Sequence, residues 1–160
     1  METLSEQFRA AMRHWPSGVA VVTSGSEGLR HGMTASSFIS TAVEPPLVLV
    51  SLNRQSRTRE LVSRSGRFGV SILNETQREI AQRFAGVAEP GDDRFNGLLT
   101  FSLGSDVPLI AGGLACFDCR VVQMMDVATT TLFVGQVEAL RMEDGGRPLV
   151  YYDRDYHEIT

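Results

Sequence analysis

Small residues and hydroxyls concentrate at two places in this chain, "GMTASS" from Gly32 to Ser37 and "SRTR" from Ser56 to Arg59. Hydroxyls, main-chain N–H groups at a helix start and a nearby cation together make a receptor for a phosphate dianion. Ser56, Arg57 and Thr58 bring that set to the head of "SRTRELVSRSG". A run of small residues offers something else: main-chain donors that a flat polar ring can approach closely, because no bulky side chain intervenes. Each stretch also has a plainer reading, since Ser/Thr clusters make turns and S-x-T before a helix makes an ordinary N-cap.

Other chemistries lack their parts. Cys116 and Cys119 have C-x-x-C spacing, but a zinc site needs about four ligands, and no second cysteine pair or paired histidines complete one. On a strand the two thiols would point to opposite faces, so they read as small buried hydrophobes. His14, His31 and His157 are far apart, without metal-like spacing, and read as solvated loop residues. No G-x-S-x-G elbow or GxxxxGK[ST] loop is present. A chain with no evident acid, base or nucleophile delegates its chemistry to a bound cofactor. A flavin nucleotide, with a polar ring edge and a phosphate, asks for what the two stretches provide.

The elements that must position them follow from periodicity. Leu4, Phe8, Ala11, Met12 and Trp15 recur at helical spacing until Pro16 and Gly18. "GVAVVTSG" reads as a strand entering a turn over residues 24–32, and "PLVLVSLN" as a strand buried on both faces. A helix of about three turns at "SRTRELVSRSG" ends at Gly66. "RFGVSILN" is a strand, "ETQREIAQRFAG" a helix, and "VAEPGDDRFNG" a polar loop. "LACFDCRVVQMM" and "TTTLFVGQVEALRM" are long strands around a "DVAT" turn, and "RPLVYYD" follows the "EDGG" turn. Strands joined by hairpins, with helices inserted early, predict a mainly β fold: a closed, largely antiparallel barrel with accessory α-helices.

A chain of 160 residues without linker or repeat is expected to form one domain, 1–160. Its net charge of −4 argues against a polyanion binder, so no nucleic acid is expected. No apolar run is long enough to span a bilayer, and the acid-containing amino terminus is unlike a secretory leader, which together predict a cytoplasmic protein with no membrane partner.

In order along the chain, "GMTASSFIS", "EPPLVLVSLN", "SRTRE", "FGVSILNETQREIAQRFAG", "DRF", "LFVGQVEAL" and "PLVYYDRDYH" resemble the short-chain flavin reductase family over nearly the full length. The resemblance implies the FMN-binding split-barrel fold and a homodimeric NAD(P)H:flavin oxidoreductase. Such a protein uses NADH or NADPH to reduce FMN or FAD and supplies the reduced flavin to a separate monooxygenase. It further implies that Gly32, Met33, Thr34, Ala35, Ser36 and Ser37 line the flavin ring and ribityl chain, with Ser51, Leu52 and Asn53 meeting its polar edge. Ser56, Arg57 and Thr58 would take the phosphate, Phe84 and Ala85 would close the site, and Asp155, Tyr156 and His157 would approach the nicotinamide. Tyr156 and His157 could equally form a surface tail. Many relatives carry Gly-Asp-His where this chain has Ala128, Thr129 and Thr130, which leaves Thr130 as a nicotinamide-proximal candidate that does not titrate as histidine does. Two other readings stay open: a flavin carrier without reductase activity, and a split-barrel flavoenzyme acting on another substrate.

Overall fold

The computed structural model describes residues 1–86, 92–144 and 146–160. Thr3 opens helix α1 (Leu4–Met12) with a reciprocal cap: its hydroxyl accepts the Glu6 N–H at 3.2 Å, and the Glu6 carboxylate accepts the Thr3 N–H at 2.8 Å. The helix stops at Met12, short of Trp15, and buries none of its residues. Strands β1 (Ser17–Gly18) and β2 (Ala20–Ser26) follow, and β2 turns at Glu27–Gly28 into β3 (Leu29–Ala35). Both turn residues have positive φ, 53° and 80°, the backbone twist that suits a two-residue hairpin. The turn expected over residues 24–32 therefore shrinks to two residues, and Gly32–Ala35 belongs to a strand.

Strands β4 (Phe38–Ala42) and β5 (Leu47–Asn53) lead into α2 (Arg57–Ser65). Ser56 caps this helix by accepting the Arg59 N–H at 3.1 Å, and Gly66 closes it in the left-handed region at φ 71°. The remaining elements are β6 (Arg67–Ile72), α3 (Arg78–Ala85), β7 (Thr100–Phe101), β8 (Leu109–Ile110), β9 (Ala115–Val127), β10 (Thr130–Met142), β11 (Leu149–Tyr152) and β12 (Asp155–Glu158). Part of the expected polar loop, residues 87–91, and Gly145 of the expected "EDGG" turn lie outside the described residues.

Seven strands form one antiparallel sheet in the order β3-β2-β6-β9-β10-β5-β4; β1, β11 and β12 form a second sheet, and β7 pairs with β8. All seven strands of the large sheet feed one core, in which Met33 of edge strand β3 and Phe38 of edge strand β4 join Val50, Phe68, Cys119 and Phe133. A sheet whose two edges reach the same core must be curled. On β5 burial alternates: Val48, Val50 and Leu52 point inward, while Leu47, Leu49 and Ser51 are half-buried. The expected two-faced burial is thus one-faced, as an antiparallel sheet with an outer surface requires. Cys116 packs with Val107 and Leu109, and Cys119 joins the main core, so the two thiols do occupy opposite faces of β9. A second core of Val19, Val21, Leu73, Phe84, Phe95 and Ile110 seats α3. No helix among the described residues is long and apolar enough to cross a membrane.

Candidate functional site

Strand β3 lies at the edge of the large sheet, so alternate main-chain N–H and C=O groups along it have no strand partner among the described residues. Helix α3 packs against it. Thr34 Oγ1 donates to the Ala81 carbonyl at 2.6 Å. Arg94 then ties strand to helix, donating to the carbonyls of Gly32 at 3.1 Å, Phe84 at 2.7 Å and Gly86. A guanidinium suits that position, because the last carbonyls of a helix lack intrahelical partners and carry partial negative charge. Gly32 allows the close approach. A Cβ there would lie 3.1 Å from Phe84 Cε1, from Thr23 Cγ2 and from the Val22 carbonyl oxygen.

Two adjoining pockets run along this seam and share Thr34 and Ala85. One, of about 210 Å³, is bounded by Val19, Ala35, Ser36, Tyr151 and Tyr156. The two tyrosine rings stand 5.3 Å apart, centroid to centroid. The other pocket, of about 390 Å³, is lined by His31, Met33, Gln55, Ser56, Arg57, Phe84, Gly86 and Arg94. Among the described residues it has two guanidinium-bearing side chains in its wall and no carboxylate. An aromatic-walled slot opening into a cationic pocket at the start of α2 can hold a flat ring joined to an anion. The main-chain N–H groups at the head of α2, ahead of the capped Arg59 N–H, and the arginines fit a flavin phosphate, and the edge main chain of β3 fits its polar ring edge.

The residues expected at the site divide. Thr34, Ala35, Ser36, Ala85 and Tyr156 meet in the slot, and Met33, Thr34, Ser56, Arg57, Phe84 and Ala85 meet in the cationic pocket. Gly32 lies behind this wall, filled over by Phe84. Ser37 turns to β5, where its hydroxyl donates to the Ser51 carbonyl at 3.0 Å and its own carbonyl accepts the Ser51 N–H at 3.3 Å. Leu52 is fully buried in the core, so its side chain meets no ligand. Asn53 Oδ1 accepts the Gln55 N–H at 2.8 Å and shapes the turn into α2. Thr58 is fully buried, and its hydroxyl lies 2.8 Å from His31 Nδ1, which withdraws it from direct phosphate contact.

Of the two arginines in "SRTR", only Arg57 lines the pocket. Arg59, two residues on, faces away: its Nε donates to Thr131 Oγ1 at 3.1 Å and its Nη2 reaches Asp126 Oδ1 at 3.5 Å. The carboxy-terminal segment is not a loose tail but strand β12, paired with β11. Alternation along it turns Tyr156 into the slot, whereas Asp155 accepts from Arg78 at 2.6 Å and His157 Nε2 lies 3.1 Å from the Tyr152 carbonyl, both on the exposed side. Thr130 stands opposite Asn53 at the β9–β10 turn, with its hydroxyl donating to the Val127 carbonyl at 3.0 Å, and lines neither pocket.

Several contributors escaped the sequence. His31 is the clearest correction: it is a strand residue, 7% exposed, in the wall of the cationic pocket. Burial, reinforced by the charges of Arg94 and Arg57, pushes its pKa down to about 4, and its Nε2 is buried without a hydrogen-bond partner among the described residues. The signal available was its place beside "GMTASS", two residues before Met33. Arg94 lay in the quoted "DRF", but no spacing rule foretells three carbonyl partners. Among the described residues no cluster of His, Cys, Asp or Glu could hold a metal ion.

Known proteins resemble this chain over nearly its full length. Residues 12–160 match the family described as flavin reductase like domain. The chain is 36% identical over 155 residues to an NADH-dependent flavin reductase of Rhodococcus sp, covering 95% of this chain and 85% of the relative. It is 35% identical over 150 residues to actinorhodin polyketide dimerase of Streptomyces coelicolor, covering 93% and 83%. Among solved structures, the styrene monooxygenase flavin reductase of Pseudomonas putida S12 superposes with a TM-score of 0.85 at 34% identity, covering 96% of this chain and 97% of that one.

Proposed function

The chain belongs to the flavin reductase like domain family, and from that premise we propose that it is an NAD(P)H:flavin oxidoreductase that reduces FMN or FAD for a separate monooxygenase. The observation that carries this reading is the continuity of the tyrosine-walled slot with the cationic pocket through Thr34 and Ala85. A bound flavin would supply the redox chemistry, passing on reducing equivalents drawn from the reduced nicotinamide. The chain's own work is to bind, orient and polarise.

Arg57 and the main-chain N–H groups at the head of α2 would hold the phosphate, while the Ser56 hydroxyl, which donates to the Asn53 carbonyl at 2.8 Å and accepts the Arg59 N–H, shapes that turn. Main-chain donors along Thr34–Ser36, which line the slot, would meet the polar edge of the ring and stabilise negative charge there. They take the place of the donors at Ser51–Asn53, because the Ser51 N–H is already engaged by Ser37. Tyr151 and Tyr156 wall the ring end. On this reading the curled seven-stranded sheet is the split barrel of the family, residues 1–160 form one domain, and the protein is a homodimer. Helix α1 favours the dimer: Phe8, Met12 and Trp15 line a groove of about 550 Å³ that shares Ser36 and Tyr151 with the slot, so a second copy seated there would roof the ring end.

The likeness to a polyketide dimerase favours a second reading, a flavoenzyme that keeps its flavin and acts on an organic substrate. The test is a steady-state assay with purified protein, FMN or FAD, and NADH or NADPH, following nicotinamide absorbance. Flavin-dependent oxidation above the uncatalysed rate, with flavin lost on gel filtration, is expected. Retained flavin with no turnover of free flavin would select the second reading, and no flavin binding would sink both.

A further inference from the structure

His31 is held in an unusual state for a surface-adjacent histidine. It projects from β3 into the wall of the cationic pocket, is 7% exposed, and has Nδ1 fixed 2.8 Å from Thr58 Oγ1. Its Nε2 is buried with no hydrogen-bond partner among the described residues. An unpaired buried nitrogen is costly, so the site is complete only when something at the pocket supplies an acceptor or donor. Arg57 of α2 and Arg94 of the segment after α3 line the same pocket.

The other charges near it are accounted for. On β3 itself Arg30 is paired with Asp93 at 2.7 Å, and Asp92 lies near Arg94. On α2 Arg59 is turned to Asp126, while Thr58, Leu61 and Val62 are the buried residues. From α3 the pocket receives only Phe84 and Ala85, and across the β2 ladder His31 faces Ser24. The imidazole therefore meets two cations and, in the pocket wall among the described residues, no anion, which favours its neutral form.

We propose that His31 is a ligand of the flavin phosphate, contributing Nε2–H to it, and that the imidazole takes up a proton as the phosphate enters. The inference rests on the reading of this pocket as the phosphate end of a flavin site. A phosphate dianion offsets the field of Arg57 and Arg94 and gives Nε2–H an anionic acceptor, both of which stabilise imidazolium. Thr58 then acts as a positioning residue, fixing the ring in the pocket wall through Nδ1. The proton comes from solvent, the phosphate keeps its charge, and no covalent bond changes.

Imidazole ¹⁵N resonances of the wild-type protein report protonation directly. At pH 6.5 the His31 signals are expected to be those of a neutral ring in the free protein, to become those of imidazolium on saturation with FMN, and to stay neutral with riboflavin, which has the same ring system and no phosphate. Calorimetry between pH 7 and 8 in buffers of different ionisation enthalpy should register proton uptake on FMN binding, absent in His31→Gln. That variant should bind FMN roughly 10-fold or more weakly and riboflavin equally well, as expected for loss of a charge-assisted hydrogen bond. A His31 ring that stays neutral with FMN bound, or equal proton uptake in His31→Gln, overturns the inference while leaving the flavin site standing. If neither FMN nor riboflavin binds, the reading of the pocket fails first and takes this one with it.

Discussion

Gly32 can be small for either of two reasons, and Gly32→Ala separates them. If the residue were bare only to admit a ligand, the substitution would stabilise the empty protein by about 0.4–1 kcal/mol, because alanine loses less chain entropy on folding. The surroundings point the other way. The added methyl would lie 3.1 Å from three atoms: Phe84 Cε1, Thr23 Cγ2 and the Val22 carbonyl oxygen. None is the free end of a flexible chain. Phe84 is fully buried and packed edge-on against Phe95 at 5.1 Å, Thr23 is held by its 2.5 Å hydrogen bond to the Pro108 carbonyl, and the Val22 oxygen is backbone of the neighbouring strand. Overpacking of this kind costs about 1–3 kcal/mol, which after the entropic gain leaves a net loss of about 1–2 kcal/mol. Urea unfolding of the flavin-free protein checks it. With a slope of about 1–3 kcal/mol per molar urea, the midpoint should fall by roughly 0.3–2 M at unchanged slope. FMN affinity should drop as well, since Phe84 forms part of the pocket wall. An unchanged or raised midpoint would refute the packing account of Gly32 and return the residue to ligand clearance.

Acid should weaken the flavin-free fold through His31. Its folded pKa of about 4 lies below the ordinary 6.5, so between those values the unfolded chain binds the proton and the folded one does not. The stabilisation is complete above pH 6.5 and is lost as pH falls towards 4, amounting to about 2–3 kcal/mol by pH 4.5. Denaturant midpoints from pH 7 to 4.5 should therefore fall more steeply for the wild type than for His31→Gln; parallel curves would contradict it. The two arginines of "SRTR" should part company in flavin titrations followed by fluorescence quenching. Arg57→Ala should weaken FMN binding about 10-fold with little effect on riboflavin, as loss of a charged phosphate contact implies. Arg59→Ala should leave FMN affinity unchanged, because its guanidinium is spent on Thr131 and Asp126. Equal losses from both would mean that α2 presents a diffuse cationic face rather than one oriented arginine.

What the sequence made legible follows the reach of its signals. Helix α2 was readable because both ends carry local chemistry, Ser56 as cap and Gly66 in the left-handed region. The β9–β10 pair was readable because its apolar and polar residues run uninterrupted on both sides of a short turn. Strand β3 was hidden for the opposite reason: across Leu29–Ala35, Thr34 is the lone β-branched residue and no regular apolar–polar alternation runs along it. The hairpin turn at Glu27–Gly28 is too short to separate from the surrounding small residues. Missing β3 made His31 look like a solvated loop residue, when strand geometry turns it into the pocket wall. Similarly, "DRDYH" reads as one unit in sequence, and the period of a strand divides it, with Tyr156 inward and Asp155 and His157 outward.

The bareness of "GMTASS" therefore has no single cause, because the stretch serves two faces at once. Met33 and Ala35 belong to the core of the curled sheet, while Gly32 is overlaid by Phe84 and Thr34 is bound to Ala81, both on α3. Only the strand edge between these commitments stays open to a ligand. Any larger side chain at Gly32 would push α3 away, and with it Phe84, Ala85 and the carbonyls that Arg94 holds. The slot and the cationic pocket are continuous only while α3 stays pressed to β3, since the two residues they share are Thr34 and Ala85, one from each element. Packing and binding at this seam are thus a single constraint: the separation that admits a flavin is set by the same close approach that stabilises the empty fold.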